Sequence, residues 1–303
     1  MDLDNVHAAV EAYLPGATES EAARFRFFEG LLEIQQSHAD QAASLEYAAP
    51  ADDAVVERYR SGVPLFAEYP VTIDPEAFAA TCSDIASYMA ENAGLDQAAA
   101  QALSAYDWDS FMQKTPTKTA GSDPAAFVES ALQRIDDFDV PSELPANIFM
   151  MPVVFALRAH LQPAAEQIAS LYQENVPEDD YGYDHNVDCP VCGAPSTASW
   201  VGESPASSGM AGRRRMQYCG LCGTQWEFER IRCANCGSTD QNHLHYTNIE
   251  GDRAHRLLHC DECGFTQRVV FQEDLPYAPV AMEIEDAAMV KLDQLMATMP
   301  EFH

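Results

Sequence analysis

Between Cys189 and Cys263 the chain writes the same five-residue pattern four times: CPVCG (Cys189, Cys192), CGLCG (Cys219, Cys222), CANCG (Cys233, Cys236) and CDECG (Cys260, Cys263). These doublets take up eight of the nine cysteines. Two thiolates three residues apart, followed by Gly, curl into a knuckle whose sulfurs point at one cation, and two knuckles complete a tetrahedral site. The intervals choose the pairing. There are 26 residues between Cys192 and Cys219, 23 between Cys236 and Cys260, and only 10 between Cys222 and Cys233. Long within a site and short between sites predicts Cys189, Cys192, Cys219 and Cys222 around one ion and Cys233, Cys236, Cys260 and Cys263 around a second. Tetrathiolate sites accept iron or zinc, so the spacing predicts two ions per chain and leaves their identity open.

An even cysteine count also suits a disulfide framework. The N-terminus MDLDNVHAAVEAYL argues against it, because it is acidic and lacks the basic and continuously apolar regions of a secretory signal. The longest apolar run, Ile148 to Leu157, is broken by Pro152 and is about half a membrane span. The expectation is a soluble, cytoplasmic protein without a membrane span, in which thiols stay reduced.

Charge divides the chain. The net charge is −31, and lysine occurs only at 114, 118 and 291. Such a surface resembles proteins adapted to molar salt, where the Debye length falls to about 3 Å and self-repulsion is screened. Residues 1–188 carry 8 basic and 33 acidic side chains, whereas 189–271 carry 8 of each. The arginines of the cysteine region (Arg213, Arg214, Arg215, Arg230, Arg232, Arg253, Arg256, Arg268) either compensate the negative charge of tetrathiolate sites or form a partner surface. With a neutral module on an acidic chain, counterion release offers nucleic-acid binding little drive.

Before residue 180 the patterns are helical. Thr18 and Glu21 form a capping box ahead of Phe25, Phe28 and Leu32, predicting a helix to about Tyr47. Pro50, Pro64 and Pro70 mark residues 49–71 as a loop. Asp74-Pro75 and Asp123-Pro124 each place an N-cap before Pro at the first helical position. Residues 95–111 read as helix, 114–123 as a polar turn, and 144–171 as two helices divided near Pro163, with Phe149, Val153 and Leu157 on a buried face. Cys82 falls in a helix and is assigned no role. Strand patterns follow at 198–201, 225–230, 243–249 and 266–271, then a terminal helix with Ile284, Ala288, Leu292 and Leu295 on one side. His243, His245, His255 and His259 are surplus to two complete thiolate sets.

The predicted class is α+β. An all-α helical bundle (1–175) leads through an acidic linker (176–188) to a tandem four-cysteine domain of two rubredoxin- or zinc-ribbon-like modules (189–273) and a C-terminal helix (274–303). No P-loop, G-x-S-x-G or H-E-x-x-H motif occurs, so the chain reads as a non-enzyme.

The order of features resembles the formate dehydrogenase accessory protein FdhE family. The likeness is carried by Cys189-Pro190-Val191-Cys192-Gly193-Ala194-Pro195, by Tyr218-Cys219, by Cys222 through Trp226 and Arg230 to Cys233-Ala234-Asn235-Cys236, and by the acidic tail Ile284-Glu285-Asp286. Phe265-Thr266-Gln267-Arg268 departs from the aromatic-aliphatic-lysine step usual after the last knuckle. The resemblance implies a cytoplasmic assembly factor that engages the formate dehydrogenase catalytic subunit and binds metal of the rubredoxin type, which favours iron over zinc. The charge contrast between the acidic helical part and the arginine-studded ribbons in turn places Arg213, Arg214, Arg215 and an apolar patch at Trp226 on the contact face. Two rivals stand beside it: a nucleic-acid-binding zinc ribbon using Trp226, Phe228 and Tyr246 for stacking, and a rubredoxin-like redox carrier, for which only the first knuckle has Pro after its leading Cys.

Overall fold

The structure, a computed structural model, describes residues 1–43, 47–176, 187–202 and 214–296. Most of the acidic linker, Arg213 and the last seven residues lie outside that set, as does the side chain of Leu295. The helical part begins with α1 (Leu3–Tyr13) and α2 (Glu19–Ala42), the latter opened by the Thr18/Glu21 capping box. There follow α3 (Asp52–Ser61), α4 (Leu65–Glu68), α5 (Pro75–Asn92), α6 (Gln97–Ser104), α7 (Trp108–Gln113), α8 (Thr117–Ser122) and α9 (Pro124–Gln133). The side chains of Asp74 and Asp123 cap α5 and α9 as expected, accepting from the N–H groups of Ala77 and Ala126.

Three readings of this half need correction. Residues 49–71 are not a loop, because Pro50 and Pro64 flank α3 without entering it. Asp52 and Asp53 sit in its first turn, Arg58 and Arg60 in its last, and Gly62 closes it at φ 65°. The polar stretch 114–123 contains the short helix α8. Most consequential, 146–175 is one helix, α10 (Ala146–Asn175), running straight through Pro152 and Pro163. A proline inside a helix costs about 3 kcal/mol. Burial on several sides offsets that cost: α10 packs on α2, α3 and α5, with Phe149, Val153, Ala156, Leu157, Leu161 and Ile168 fully buried. Each large apolar side chain among them contributes roughly 1.5–3 kcal/mol. By length and composition α10 is apolar enough to cross a membrane, but 72% of its most apolar window is buried inside the protein, as suits a core helix.

The cysteine half is one six-stranded sheet. Its strands are β1 (Ala198–Gly202), β2 (Arg214–Tyr218), β3 (Gln225–Phe228), β4 (Leu244–Asn248), β5 (His255–Cys260) and β6 (Thr266–Phe271), in the order β3-β2-β1-β6-β5-β4. The antiparallel ribbons β1-β2-β3 and β4-β5-β6 are welded edge to edge by the parallel pair β1/β6, Ala198 opposite Arg268. Each ribbon has the same internal order of knuckle, strand, strand, knuckle, strand. The sequence patterns missed β2 and β5.

The tail is two helices rather than one, α11 (Met282–Ala288) and α12 (Val290–Met296). Met282, Met289 and Leu292 cover the sheet face that presents Ala198, Trp200, Leu257 and Val270, while Ile284 and Ala288 turn to Val6, Val10, Phe25 and Leu32 of α1 and α2. The tail is therefore the mortar between the two halves.

Candidate metal centres

All four knuckles fold alike. The N–H of each glycine donates back to the carbonyl of the leading cysteine: Gly193 to Cys189, Gly223 to Cys219, Gly237 to Cys233 and Gly264 to Cys260, at 2.8–3.1 Å. This turn holds the glycine at φ between 73° and 81°, a left-handed conformation that explains the repeated Gly after each doublet. A second bond, from the N–H of the leading cysteine to a carbonyl five residues on, ties the knuckle into its ribbon.

The knuckles bring the eight sulfurs into two groups of four. In each group all Sγ atoms lie within 4.8 Å of one another. In the first, Cys189 faces Cys222 at 3.6 Å and Cys192 faces Cys219 at 3.5 Å; in the second, Cys233 faces Cys263 at 3.7 Å and Cys236 faces Cys260 at 3.8 Å. A tetrahedron with metal–sulfur bonds of ~2.3 Å has sulfur–sulfur edges of about 3.8 Å. The donor set is all-thiolate, and hydrogen bonds reach the sulfurs, as from Asn235 N–H to Cys233 Sγ at 3.4 Å. The residues fit a soft, tetrahedral cation.

The surroundings of the two groups differ. The first is sealed: Cys189, Cys192, Cys219 and Cys222 are each exposed by 2% or less. Its cover is the helical half. The N–H groups of Leu65 and Phe66 donate to the carbonyls of Pro190 and Val191 at 3.0 and 2.9 Å, and Tyr172 Oη donates to the Pro190 carbonyl at 3.1 Å. Arg158 from α10 lies over Gly223 and donates to Tyr218 Oη and Glu283. Burial pushes the Cys189 thiol well up; Cys222 is drawn down against its burial by the neighbouring thiols and by Thr224 Oγ1 at 3.1 Å. Four thiols buried together ionise as a set only with a cation among them.

The second group stands at the surface. Cys233 and Cys260 are buried, but Cys236 and Cys263 are exposed. Burial opposes ionisation at Cys263, yet the Phe265 N–H and neighbouring groups bring its thiol down to about 7.

The histidines stay outside both groups. His245 and His259 contact Asp261, and His243 contacts Asp240. His255 is a buried staple: Nδ1 meets Asp252 at 2.9 Å and Nε2 meets Glu285 at 2.6 Å, while Tyr13 and Tyr277 donate to the same Glu285 carboxylate. Burial works against its charge, but the two carboxylates raise it to about 9.

The arginine reading is corrected. Arg215 is fully buried, its guanidinium donating to Ser199 Oγ at 3.1 Å, the Arg232 carbonyl at 2.8 Å and Gln267 Oε1. It ties β1, β2 and β6 together where the ribbons join, and burial lowers its pKa to about 10. Arg214 pairs with Glu227, and Arg213 lies outside the described residues. Trp226 is also buried, in the core it shares with the helices, and offers no stacking platform. Alternation in β2 was the signal that would have turned Arg215 inward, with Gln217 beside it.

Comparison with known proteins agrees with this arrangement. Residues 188–230 match the model of the FdhE central domain. The chain is 36% identical over 110 residues to an FdhE homologue of Cronobacter sakazakii and 32% identical over 109 residues to FdhE of Escherichia coli. Both matches cover 36% of this chain and 32% of the relative, so the matched stretch spans about a third of the length of those proteins. The crystal structure of the FdhE protein from Pseudomonas aeruginosa matches over 98% of this chain and 92% of its own, with a TM-score of 0.55 and 22% identity, a likeness of fold.

The chain is similar to FdhE proteins in its cysteine region and in its fold.

The FdhE central-domain match covers the first four-cysteine group together with β1, β2 and β3, the part of the metal region that is embedded against the helices.

Proposed function

We propose that this protein is a cytoplasmic accessory factor for formate dehydrogenase, which binds the immature catalytic subunit through a ribbon domain held rigid by two metal ions. The ligands are Cys189, Cys192, Cys219 and Cys222 for one ion and Cys233, Cys236, Cys260 and Cys263 for the other. Iron is the preferred ion and zinc the alternative. The working units are the helical domain (1–175), the linker (176–188), the ribbon domain (189–273) and the tail (274–303).

The observation that carries the reading is the completeness of both sulfur sets. A catalytic metal site keeps one position open for water or substrate, and a set of four protein ligands leaves none. Such sites stiffen a surface rather than perform chemistry on it, and their binding energy is folding energy. The contact surface shifts from the arginine run to what is exposed around the second group. Ile231 at 49% and Tyr246 at 43% are two of the three exposed large apolar side chains among the described residues, and Arg230 is exposed beside Ile231.

The test is co-purification of the formate dehydrogenase catalytic subunit with wild type, Cys192→Ser, Cys236→Ser and Ile231→Asp/Tyr246→Ser, with metal content measured in parallel. The expected result is capture by wild type, with loss in the apolar double variant despite full metal content. Capture undiminished by any of these changes would remove the ribbon as the binding surface, and co-purification of nucleic acid instead would replace the reading.

A further inference from the structure

The two sulfur groups have the same chemistry and nearly the same geometry, so whatever separates their behaviour lies in what surrounds them. A Cβ placed on each knuckle glycine samples that space directly. At Gly193 it would meet Pro64 at 2.9 Å, and at Gly223 the Arg158 guanidinium at 3.0 Å. At Gly237 the nearest atoms are Arg232 at 3.6 Å and Val187 at 3.9 Å, and at Gly264 there is nothing within 4 Å. Both knuckles of the first group are pinned by the helical half; the last knuckle of the second group is open at Gly264 and, among the described residues, is held through Asp261 by its own ribbon, the Asp261 N–H donating to the His243 carbonyl at 2.9 Å. Asn235, Asp261 and Glu262 around the second group are exposed as well.

We infer that the Cys233/Cys236/Cys260/Cys263 group is an exchangeable site for a soft divalent cation, loaded and unloaded through Cys236 and Cys263, whereas the Cys189/Cys192/Cys219/Cys222 group holds its ion permanently. This rests on the reading that both groups bind metal. An ion held by four sulfurs is released by an incoming ligand that binds while one protein sulfur leaves, and both partners need room. At Cys263 there is room on both counts. An incoming small thiol gives its sulfur to the ion as the bond to Cys263 Sγ breaks, and its proton passes to Cys263. No electron moves, and the Cys263–Gly264 end of the knuckle swings outward without displacing any element of the helical half. At Cys192 or Cys222 the same exchange first requires α4 and Arg158 to lift off, because the cover is main-chain hydrogen bonding and buried core.

The experiment uses the full chain carrying two zinc ions, mixed with excess 4-(2-pyridylazo)resorcinol with and without millimolar glutathione, and zinc release is followed by colour. Two phases are expected, one ion leaving at least about tenfold faster than the other, a barrier difference of roughly 1.4 kcal/mol or more, with glutathione accelerating the fast phase alone. N-ethylmaleimide added after the fast phase should label Cys233, Cys236, Cys260 and Cys263 and leave the first group unlabelled by peptide mapping. Cys263→Ser should retain one ion, and that ion should leave in the slow phase. If that variant does not fold, labelling of the wild type decides alone. Loss of both ions at one rate, or labelling of Cys189, Cys192, Cys219 and Cys222 in the fast phase, overturns the inference while leaving the two-metal reading intact. A reduced chain that takes up zinc at neither group overturns both.

Discussion

The two four-cysteine groups are made by the same local rule and kept by different neighbours. The first is part of the main core: Cys189, Cys192, Cys219, Cys222 and Trp226 belong to the same buried cluster as Phe66, Phe149 and Leu157. Among the described residues the second is anchored by its own ribbon and by the Arg215 bond to the Arg232 carbonyl beside it. That ribbon holds on through its sheet face, where His255, Leu257 and Val270 meet Glu285, Met282 and Leu292, while the sulfurs lie at the far rim. Identical motifs thus yield one centre coupled to the stability of the whole chain and one coupled to a hairpin.

The largest effect that can break this comparison is ligand loss. Cys192→Ser is expected to abolish cooperative folding, because it uncouples a centre on which α4, α10 and β2 all close; Cys263→Ser should leave the helical far-UV dichroism and most of the thermal transition in place. Equal loss in the two variants would show that the centres are energetically equivalent.

The next effect concerns the buried arginines behind the centres. Arg158→Met leaves the half-buried Glu283 carboxylate and the buried Tyr218 hydroxyl without their cation, which costs about 3 kcal/mol by denaturant unfolding. Arg215→Met should cost less, because its acceptors (Ser199, Gln267 and a carbonyl) are neutral and no charge is left unpaired.

His255 gives a pH signature to the second ribbon's attachment. Its folded pKa of about 9 lies above the ordinary value of 6.5, so the folded state holds the proton more tightly. The stabilisation is complete below pH ~6.5 and disappears as pH rises through about 9, amounting to about 3 kcal/mol. Thermal unfolding of wild type should show this loss between those pH values, and His255→Gln should flatten it. A slope that survives the substitution would place the titration elsewhere.

The smallest effect separates the knuckles themselves. Alanine at Gly264 meets only the left-handed strain, about 1–2 kcal/mol, whereas alanine at Gly223 adds a clash with Arg158 and should cost measurably more. Identical losses would mean that the two centres are equally free.

Much of the fold was legible because the signals are local. The capping box at Thr18, the Asp-Pro starts of α5 and α9, and the buried Phe149/Val153/Leu157 stripe depend on residues within a turn or two of one another. The prolines misled in both directions. Those flanking α3 suggested a loop around a helix they never enter, and Pro163 suggested a break in a helix that packing on α2, α3 and α5 holds continuous. Arg215 was misplaced because an arginine run reads as surface, and only β1, β6 and the bend at Arg232 supply the three acceptors that let it go inside.

By itself the sequence determined the grouping of the eight cysteines, since chain length between doublets limits which knuckles can meet and Gly after each doublet provides the left-handed turn they share. It also determined the helical character of the first half. Tertiary structure alone decided that the two ribbons share one sheet through the β1/β6 pair, that the tail packs between the halves, and that one centre is sealed while the other is open. Burial depends on what is brought over a residue from elsewhere in the chain. Tyr172 stands 18 positions before the Pro190 it touches and Arg158 stands 60 before Tyr218, with Leu65 and Phe66 more distant still, and no local pattern around Cys189 or Cys263 records their arrival.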